Sequence, residues 1–317
     1  MTAFVVVNPQ AGGGRTRRQW PRIEESLDGI FPLMTISPTS GPGQAARLVR
    51  DALREGHLDI IAVGGDGTIN EAINGFFDRG APVSSDAVFS FVTTGTGGDF
   101  RRSFGIAPGW EAGIARLKQS RIRKIDLGRV SCLTPDGEPM VRYFVNIASF
   151  GISGHIVQRV NRARIAKFFG GGFAFGLHSA IALLGWRECR VRLMAPDASG
   201  RKNSYDEIAG ISTVAVANGQ YFGGGMRVAP NAQTNDGLFD LVIMGGTHKG
   251  RLLKDMRAIH EGAHLDNPAV RVVRASRLTA APTVDTCGPV PVETDGESAG
   301  VLPATFDILH NAINVRV

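Results

Sequence analysis

Several features are scarce or missing in this 317-residue chain. It has three cysteines, Cys132, Cys189 and Cys287. An odd number without C-x-x-C spacing argues against a disulfide framework and makes a reducing, cytoplasmic setting the default. No basic n-region or small-residue cleavage site precedes the first apolar strand, so a secretory signal is not expected. No apolar run is long enough to span a bilayer. The most apolar region, 168–186, is broken by Gly170, Gly171 and Gly172, and the remainder from 173 is too short. Neither G-x-x-x-x-G-K-[ST] nor a complete G-x-G-x-x-G occurs. Glycine is plentiful instead, at 41 residues, and the formal charge is +6. That charge favours anionic partners in general, whether nucleotide, acidic membrane or nucleic acid, and chooses among none of them. The length suffices for a large core and two domains.

The chain is organised around residues 60–72, I-I-A-V-G-G-D-G-T-I-N-E-A. Ile60 to Val63 suit a short, doubly buried strand, and Gly64, Gly65 and Gly67 a hard turn. Thr68 with Glu71 has the spacing of a capping box for the helix that follows. Strand, glycine turn and helix together leave backbone N–H groups at a helix N-terminus, where phosphate binds. Asp66 would repel a phosphate there unless a divalent cation stood between them. The stretch thus reads as a loop for a Mg2+–nucleoside triphosphate, although it also fits a tight turn with a surface aspartate. The pattern recurs. Phe4 to Val7 lead into Asn8-Pro9-Gln10-Ala11-Gly12-Gly13-Gly14 with Arg15, Arg17 and Arg18 beyond. Val88 to Val92 lead into Thr93-Thr94-Gly95-Thr96-Gly97-Gly98-Asp99. In a parallel sheet such turns align along the carboxyl edge, where open α/β sheets bind ligands.

At Asp126-Leu127-Gly128 the texture changes to alternating strands: 141–148, 189–194, 212–217, 238–244, 270–279 and 305–317. The expected architecture is a nucleotide-binding α/β domain over 1–125, with the tail 303–317 as a candidate to rejoin it. A mainly antiparallel β-sandwich over 126–302 follows. Asp126, at the hinge, is a candidate to join Asp66 and Asp99 in a carboxylate cluster. Phe173, Leu177, Ile181 and Leu184 form one apolar stripe behind Arg162, Arg164 and Lys167, which suits either core packing or contact with anionic lipid. His260-Glu261-Gly262-Ala263-His264 satisfies H-E-x-x-H, but Gly262 inside and Pro268 just beyond leave no helix to carry both histidines, so zinc is not expected.

Taken together, these motifs resemble the bacterial diacylglycerol kinase and sphingosine kinase family of lipid kinases over nearly the whole chain. Asn8-Pro9 with Gly12 is similar to its first nucleotide loop, Gly64-Gly65-Asp66-Gly67-Thr68-Ile69-Asn70-Glu71 to its signature, and Gly95-Thr96-Gly97-Gly98-Asp99-Phe100 to its third loop. Asp126-Leu127-Gly128, Asn235-Asp236-Gly237-Leu238-Phe239-Asp240 and Asp295-Gly296-Glu297 follow in the family's order. The Gly-Gly-Asp-Gly core is shared with NAD kinases and phosphofructokinases; the later motifs select lipid kinases. The third loop departs from the pattern, with Gly98 where the family usually has Asn.

The resemblance implies an ATP- and Mg2+-dependent lipid kinase acting on a diacylglycerol- or sphingoid-like hydroxyl. Nucleotide contacts would fall on Asn8, Gly12, Thr39, Gly64, Gly65, Asp66, Gly67, Thr68, Asn70, Glu71 and Thr96. Asp66 would hold the Mg2+ of Mg–ATP, with Asp99 and Asp126 acting directly or through water. A structural Mg2+ is implied around Gln233, Asp236 and Leu238, partly through backbone oxygen. The base that takes the hydroxyl proton is implied in Asp295-Gly296-Glu297, with either acid a candidate. Transfer is then expected across an interdomain cleft, with the protein cytoplasmic and peripheral to the membrane, a lipid and ATP as its partners, and no nucleic acid. Homodimerisation is left open. The alternatives are a soluble-substrate kinase of the NAD-kinase type and a non-catalytic nucleotide- or lipid-binding module.

Overall fold

The apolar runs of the first hundred residues form parallel strands. In the computed structural model, which describes residues 2–95, 97–119, 121–162, 188–196, 205–245, 258–286 and 288–317, the chain divides into two units. The first is Met1–Ile125 with Asn311–Val317; the second is Asp126–His310. Along the first run β1 (Thr2–Val7), α1 (Ala11–Asp28), β2 (Leu33–Pro38), α2 (Gln44–Arg54), β3 (Asp59–Gly64), α3 (Asp66–Asn74), a small hairpin of β4 (Phe77–Asp78) and β5 (Ala81–Pro82), β6 (Val88–Thr93), α4 (Asp99–Ser103) and α5 (Trp110–Gln119). β1 pairs in parallel with β2 and β3, and β3 with β6. The tail returns as a further parallel neighbour, Asn314 opposite Val88 and Val315 opposite Phe89. Flanked on both edges, β3 is buried at every position, which is why it reads as an unbroken apolar run. Ile61 and Val63 join Val5, Ile23, Leu27, Val92, Trp110 and Ile114 in one core. A buried ion pair between Arg316 and Asp59 fastens the tail.

α3 corrects one expectation. Its N-cap is Gly65 and the helix begins at Asp66, so Thr68 lies inside the first turn and caps nothing. Glu71 turns away instead and takes N–H bonds from Gly43 (2.8 Å) and Ala45 (3.2 Å) at the start of α2. A carboxylate at a helix N-terminus meets orphan donors and the positive end of the dipole.

The second unit carries β7 (Ile122–Leu133), β8 (Pro139–Phe144), β9 (Ile147–Gly151), α6 (Ile152–Arg162), β10 (Cys189–Ala195), β11 (Tyr205–Ala217), the pair β12 (Tyr221–Phe222) and β13 (Met226–Arg227), β14 (Phe239–Gly245), β15 (Val270–Ala275), β16 (Arg277–Pro282), β17 (Pro291–Thr294) and β18 (Glu297–Arg316). β7 begins just before this unit and β18 ends beyond it. Neighbours are antiparallel in the order β15, β14, β11, β10, β16, β18; β17 lies between β18 and β9. The core includes two stacked ring pairs, Phe144 with Phe239 (5.7 Å between centroids) and Phe150 with Phe306 (5.8 Å). Two runs read as single strands are each split. The 270–279 run breaks at Ser276, whose carbonyl accepts the N–H of Ile308. The 141–148 run breaks at Val145 and Asn146, whose N–H groups leave the ladder for the carboxylate of Asp295.

Candidate functional site

In the first unit the glycine turns meet along the carboxyl edge of the parallel strands. Backbone bonds lock the edge: Asn8 N–H to Val63 (2.9 Å), Thr39 N–H to Val7 (2.8 Å) and Thr94 N–H to Gly64 (2.9 Å). Side chains then join the turns. Asn8 Nδ2 donates to Thr68 Oγ1 at 3.0 Å, and the Thr16 and Thr94 hydroxyls share a buried bond. Thr16 and Thr94 escaped the sequence reading, because a buried threonine tie has no local signature. The turns are in backbone contact. A Cβ on Gly95 would come within 2.9 Å of the Gly65 Cα, and one on Gly12 within 2.8 Å of the Thr94 carbonyl oxygen. Such approach is possible only without side chains.

Asp66 accepts the N–H of Gly98 at 2.6 Å and that of Phe100 at 3.4 Å. It therefore holds the third loop, and among the described residues it forms no ion pair. The Arg101 guanidinium interacts with it electrostatically. Asp99 is bound to Arg102 at 3.0 Å. Asn70 is buried in α3, and Gly67 lies in its first turn. Thr96 and the 173–184 stripe, with Arg164 and Lys167, fall outside the described residues, as does the side chain of Arg162. Arg15, Arg17 and Arg18 are exposed on α1.

Gly98 has φ 71° and ψ 34°, in the left-handed region. Asn is among the few other residues that tolerate this conformation. The departure from the family's third loop therefore preserves its backbone shape. A Cβ there would press on the Arg101 guanidinium, which must shift in either variant; Gly98→Asn is expected to cost about 1 kcal/mol, and Gly98→Val about 1–3 kcal/mol more. Thermal melts check this; an equal loss in both variants would contradict it.

In the second unit Asp126 is fully buried. Its Oδ2 accepts the N–H of Gly237 (2.7 Å), its Oδ1 lies 2.8 Å from His310 Nδ1, and its backbone N–H bonds Thr234 O (2.7 Å). It pins the 234–237 turn. Within that turn Asp236 Oδ1 takes the Leu238 N–H (3.1 Å), while Oδ2 pairs with Arg274. Arg274 also holds Asp240 at 3.2 Å; burial pushes the Asp240 carboxyl above its usual range, with Arg274 opposing. A structural Mg2+ held around Gln233, Asp236 and Leu238, partly through backbone oxygen, would share Asp236 with Arg274. Among the described residues no three His, Cys, Asp or Glu side chains gather to hold a metal. The H-E-x-x-H helix breaks at Gly262 (φ 79°), and His264 is buried with its Nε2 2.9 Å from Val228 O.

The two acids of the last motif have different settings. Asp295, itself left-handed at φ 49°, receives three N–H groups: Val145 at 2.8 Å, Asn146 at 2.9 Å and Ile147 at 3.1 Å. Both its oxygens are occupied. Glu297 is exposed. Two residues upstream, Glu293 is completely buried, which pushes its carboxyl up to about 8. Ser149 and the Gly296 N–H pull the other way, and the charges of Asp295 and Glu297 add to the rise. The sequence reading passed over Glu293, although an acid inside an apolar strand is itself a signal.

Residues 2–130 match the family described as "Diacylglycerol kinase catalytic domain", and residues 146–317, more than half the chain, match "YegS C-terminal NAD kinase beta sandwich-like domain". The chain belongs to the diacylglycerol kinase/YegS family of lipid kinases. Its relatives include the diacylglycerol kinase of Bacillus subtilis (strain 168), 27% identical over 99% of this chain and 95% of that protein. That of Mycobacterium tuberculosis (strain ATCC 25618 / H37Rv) is 25% identical over 86% and 80%. A crystal structure of a diacylglycerol kinase from Bacillus anthracis str. Sterne shares the fold, with TM-score 0.69 and 19% identity over 99% of this chain and 96% of that chain. The chain is thus a lipid kinase, and for such a kinase ATP is the expected phosphate donor. Among the described residues no helix is long and apolar enough to cross a membrane.

Proposed function

We propose that this lipid kinase transfers the γ-phosphate of ATP to the hydroxyl of a diacylglycerol- or sphingoid-like lipid. The observation that carries the reading is the backbone contact of three glycine turns on one strand edge, with Asp66 at the N-terminus of α3. Phosphoryl transfer asks mainly for positioning and charge neutralisation. Backbone N–H groups of the turns would orient the phosphates, with the Asn8–Thr68 bond bracing the turns. Asp66 would hold the Mg2+ that accompanies the nucleotide, and that ion would neutralise phosphate charge as the bond to the leaving oxygen breaks. Asp99, paired with Arg102, would act through water.

The acceptor's proton goes to Glu297. Asp295 is the poorer base, because its oxygens already accept three backbone N–H groups and serve to shape the turn. The acyl chains need an apolar surface, since backbone amides cannot desolvate them favourably; each CH2 buried contributes about 0.8 kcal/mol. The stripe of Phe173, Leu177, Ile181 and Leu184 is the candidate, at the surface of a membrane.

ATP turnover against a panel of acceptors in mixed micelles tests the proposal. Turnover that requires a long-chain lipid alcohol is the expected result. Equal turnover with NAD would favour a soluble-substrate kinase, and nucleotide binding without turnover on any acceptor would favour a binding module.

A further inference from the structure

The proposed reaction gives Glu293 no part, yet Glu293 sits fully buried beside the acidic turn. It lies where the pairing of β17 with β18 slips by a residue, between Val292 and Glu293. Its Oε2 accepts the Gly296 N–H at 2.9 Å, inside the Asp295-Gly296-Glu297 turn. Its Oε1 contacts Ser149 Oγ. From there a line of hydroxyls continues: Ser149 Oγ to Ser153 Oγ at 2.7 Å, Ser153 Oγ to Thr213 Oγ1 at 2.8 Å, and Thr213 Oγ1 to the Phe150 carbonyl at 3.0 Å.

Counting protons decides the state of this line. It has four links but three hydroxyls, and each hydroxyl donates once. The terminal carbonyl can only accept, so Thr213 donates to it, Ser153 to Thr213 and Ser149 to Ser153. The link between Ser149 and Glu293 then needs a proton from Glu293. With an ionised Glu293, one link must become two oxygens facing each other within hydrogen-bond distance with no proton between them, or every hydroxyl must turn round and the Phe150 carbonyl give up its bond from Thr213. The first is unfavourable in a buried site, and the second breaks the line at its far end. A neutral acid also matches each oxygen's role, hydroxyl at Oε1 and carbonyl at Oε2. Among the described residues the charged groups facing Glu293 are Asp295 and, from β18, Glu297; β9, α6 and β11 present the hydroxyls, and α6 also carries His155.

We propose that Glu293 is a neutral carboxylic acid at neutral pH and a positioning residue for the Asp295-Gly296-Glu297 turn. It donates into the hydroxyl line through Ser149, Ser153 and Thr213 while its carbonyl holds the Gly296 N–H. Raising the pH releases its proton to solvent, breaks one link of the line and sets an anion against Asp295 and Glu297. The turn then loses its anchor.

The sign of the stability effect follows. An unfolded Glu titrates near about 4.3, whereas burial holds Glu293 protonated up to about 8 in the fold. The contribution of Glu293 is fully present below the unfolded value and is lost progressively as pH rises to the folded one. Glu293→Gln copies the neutral acid, with an amide N–H for Ser149 and a carbonyl for Gly296.

Three readouts test the proposal. Infrared spectra at neutral pH should show a protonated-carboxyl C=O band that Glu293→Gln removes, and Ser149→Ala, which takes away its acceptor, should keep the band but move it to higher frequency. Denaturant melts across pH should show a fall in wild-type stability toward about 8 that is absent in Glu293→Gln. Turnover, which alone rests on the kinase reading, should fall about tenfold per pH unit above that point in wild type and lack this limb in Glu293→Gln. A missing band, or an unchanged alkaline loss of stability in Glu293→Gln, overturns the proposal whatever the enzyme phosphorylates. If Glu293→Gln does not fold, a Ser149→Ala spectrum with the band unshifted overturns it.

Discussion

Asp66→Asn is expected to lower turnover by roughly two to three orders of magnitude while the chain keeps its fold. The carboxylate takes its bonds from the Gly98 and Phe100 N–H groups and, among the described residues, from no cation. On the proposed reading its negative charge would serve a Mg2+ held against phosphate, with Arg101 the nearby cation. The amide keeps one acceptor for the third loop and loses the other, a cost of about 1 kcal/mol. That is small beside the loss of a full charge where phosphate charge must be neutralised. The measurement is kcat at saturating Mg2+, alongside the melting temperature. Turnover equal to wild type would remove Asp66 from the metal role. A collapse of the melting temperature would show that Asp66 serves the fold first, through the loop it anchors.

The second large effect separates the two acids of the last motif. Asp295→Ala is expected to cost about 3 kcal/mol or more, because Val145, Asn146 and Ile147 are buried and their N–H groups would lose a charged acceptor together. Glu297→Gln is expected to melt like wild type and to lose about 10²–10⁴ in turnover, the usual contribution of a general base. Glu297 is exposed, whereas the oxygens of Asp295 accept backbone N–H groups. Denaturant melts with single-turnover rates on both variants decide it. The reverse pattern, a stable but inactive Asp295 variant beside an active Glu297 variant, would make Asp295 the base.

The sequence carried the parts of this structure that depend on local pattern. Ile60 to Val63 read as a buried strand because β3 has strand neighbours on both edges. Gly12 and Gly95 read as turn residues because backbones pass too close there for a Cβ. What stayed hidden are the ties between distant residues. Glu71 has the spacing of a capping box, but α3 starts at Asp66 and the carboxylate caps α2 instead. The 141–148 run alternates like one strand, and nothing local shows that Asp295, 150 residues on from Val145, takes three of its N–H groups. Asp126 is a candidate for a carboxylate cluster from its place in the chain; only the fold shows that its oxygens meet Gly237 and His310. Glu293 lay in plain view between valine and threonine in β17. Its meaning depends on Ser149, Ser153 and Thr213, which only the fold brings together.

The most direct test of the account follows the γ-phosphate itself. ATP labelled at that phosphate is incubated with wild type and with Glu297→Gln in mixed micelles of a long-chain diacylglycerol or sphingoid base, and label is counted in the organic and aqueous phases. The account predicts lipid-bound label with wild type and about 100-fold less or lower with Glu297→Gln, while Mg–ATP raises the melting temperature of both. Label that stays in the aqueous phase with every lipid, or that reaches lipid equally fast with Glu297→Gln, would contradict it.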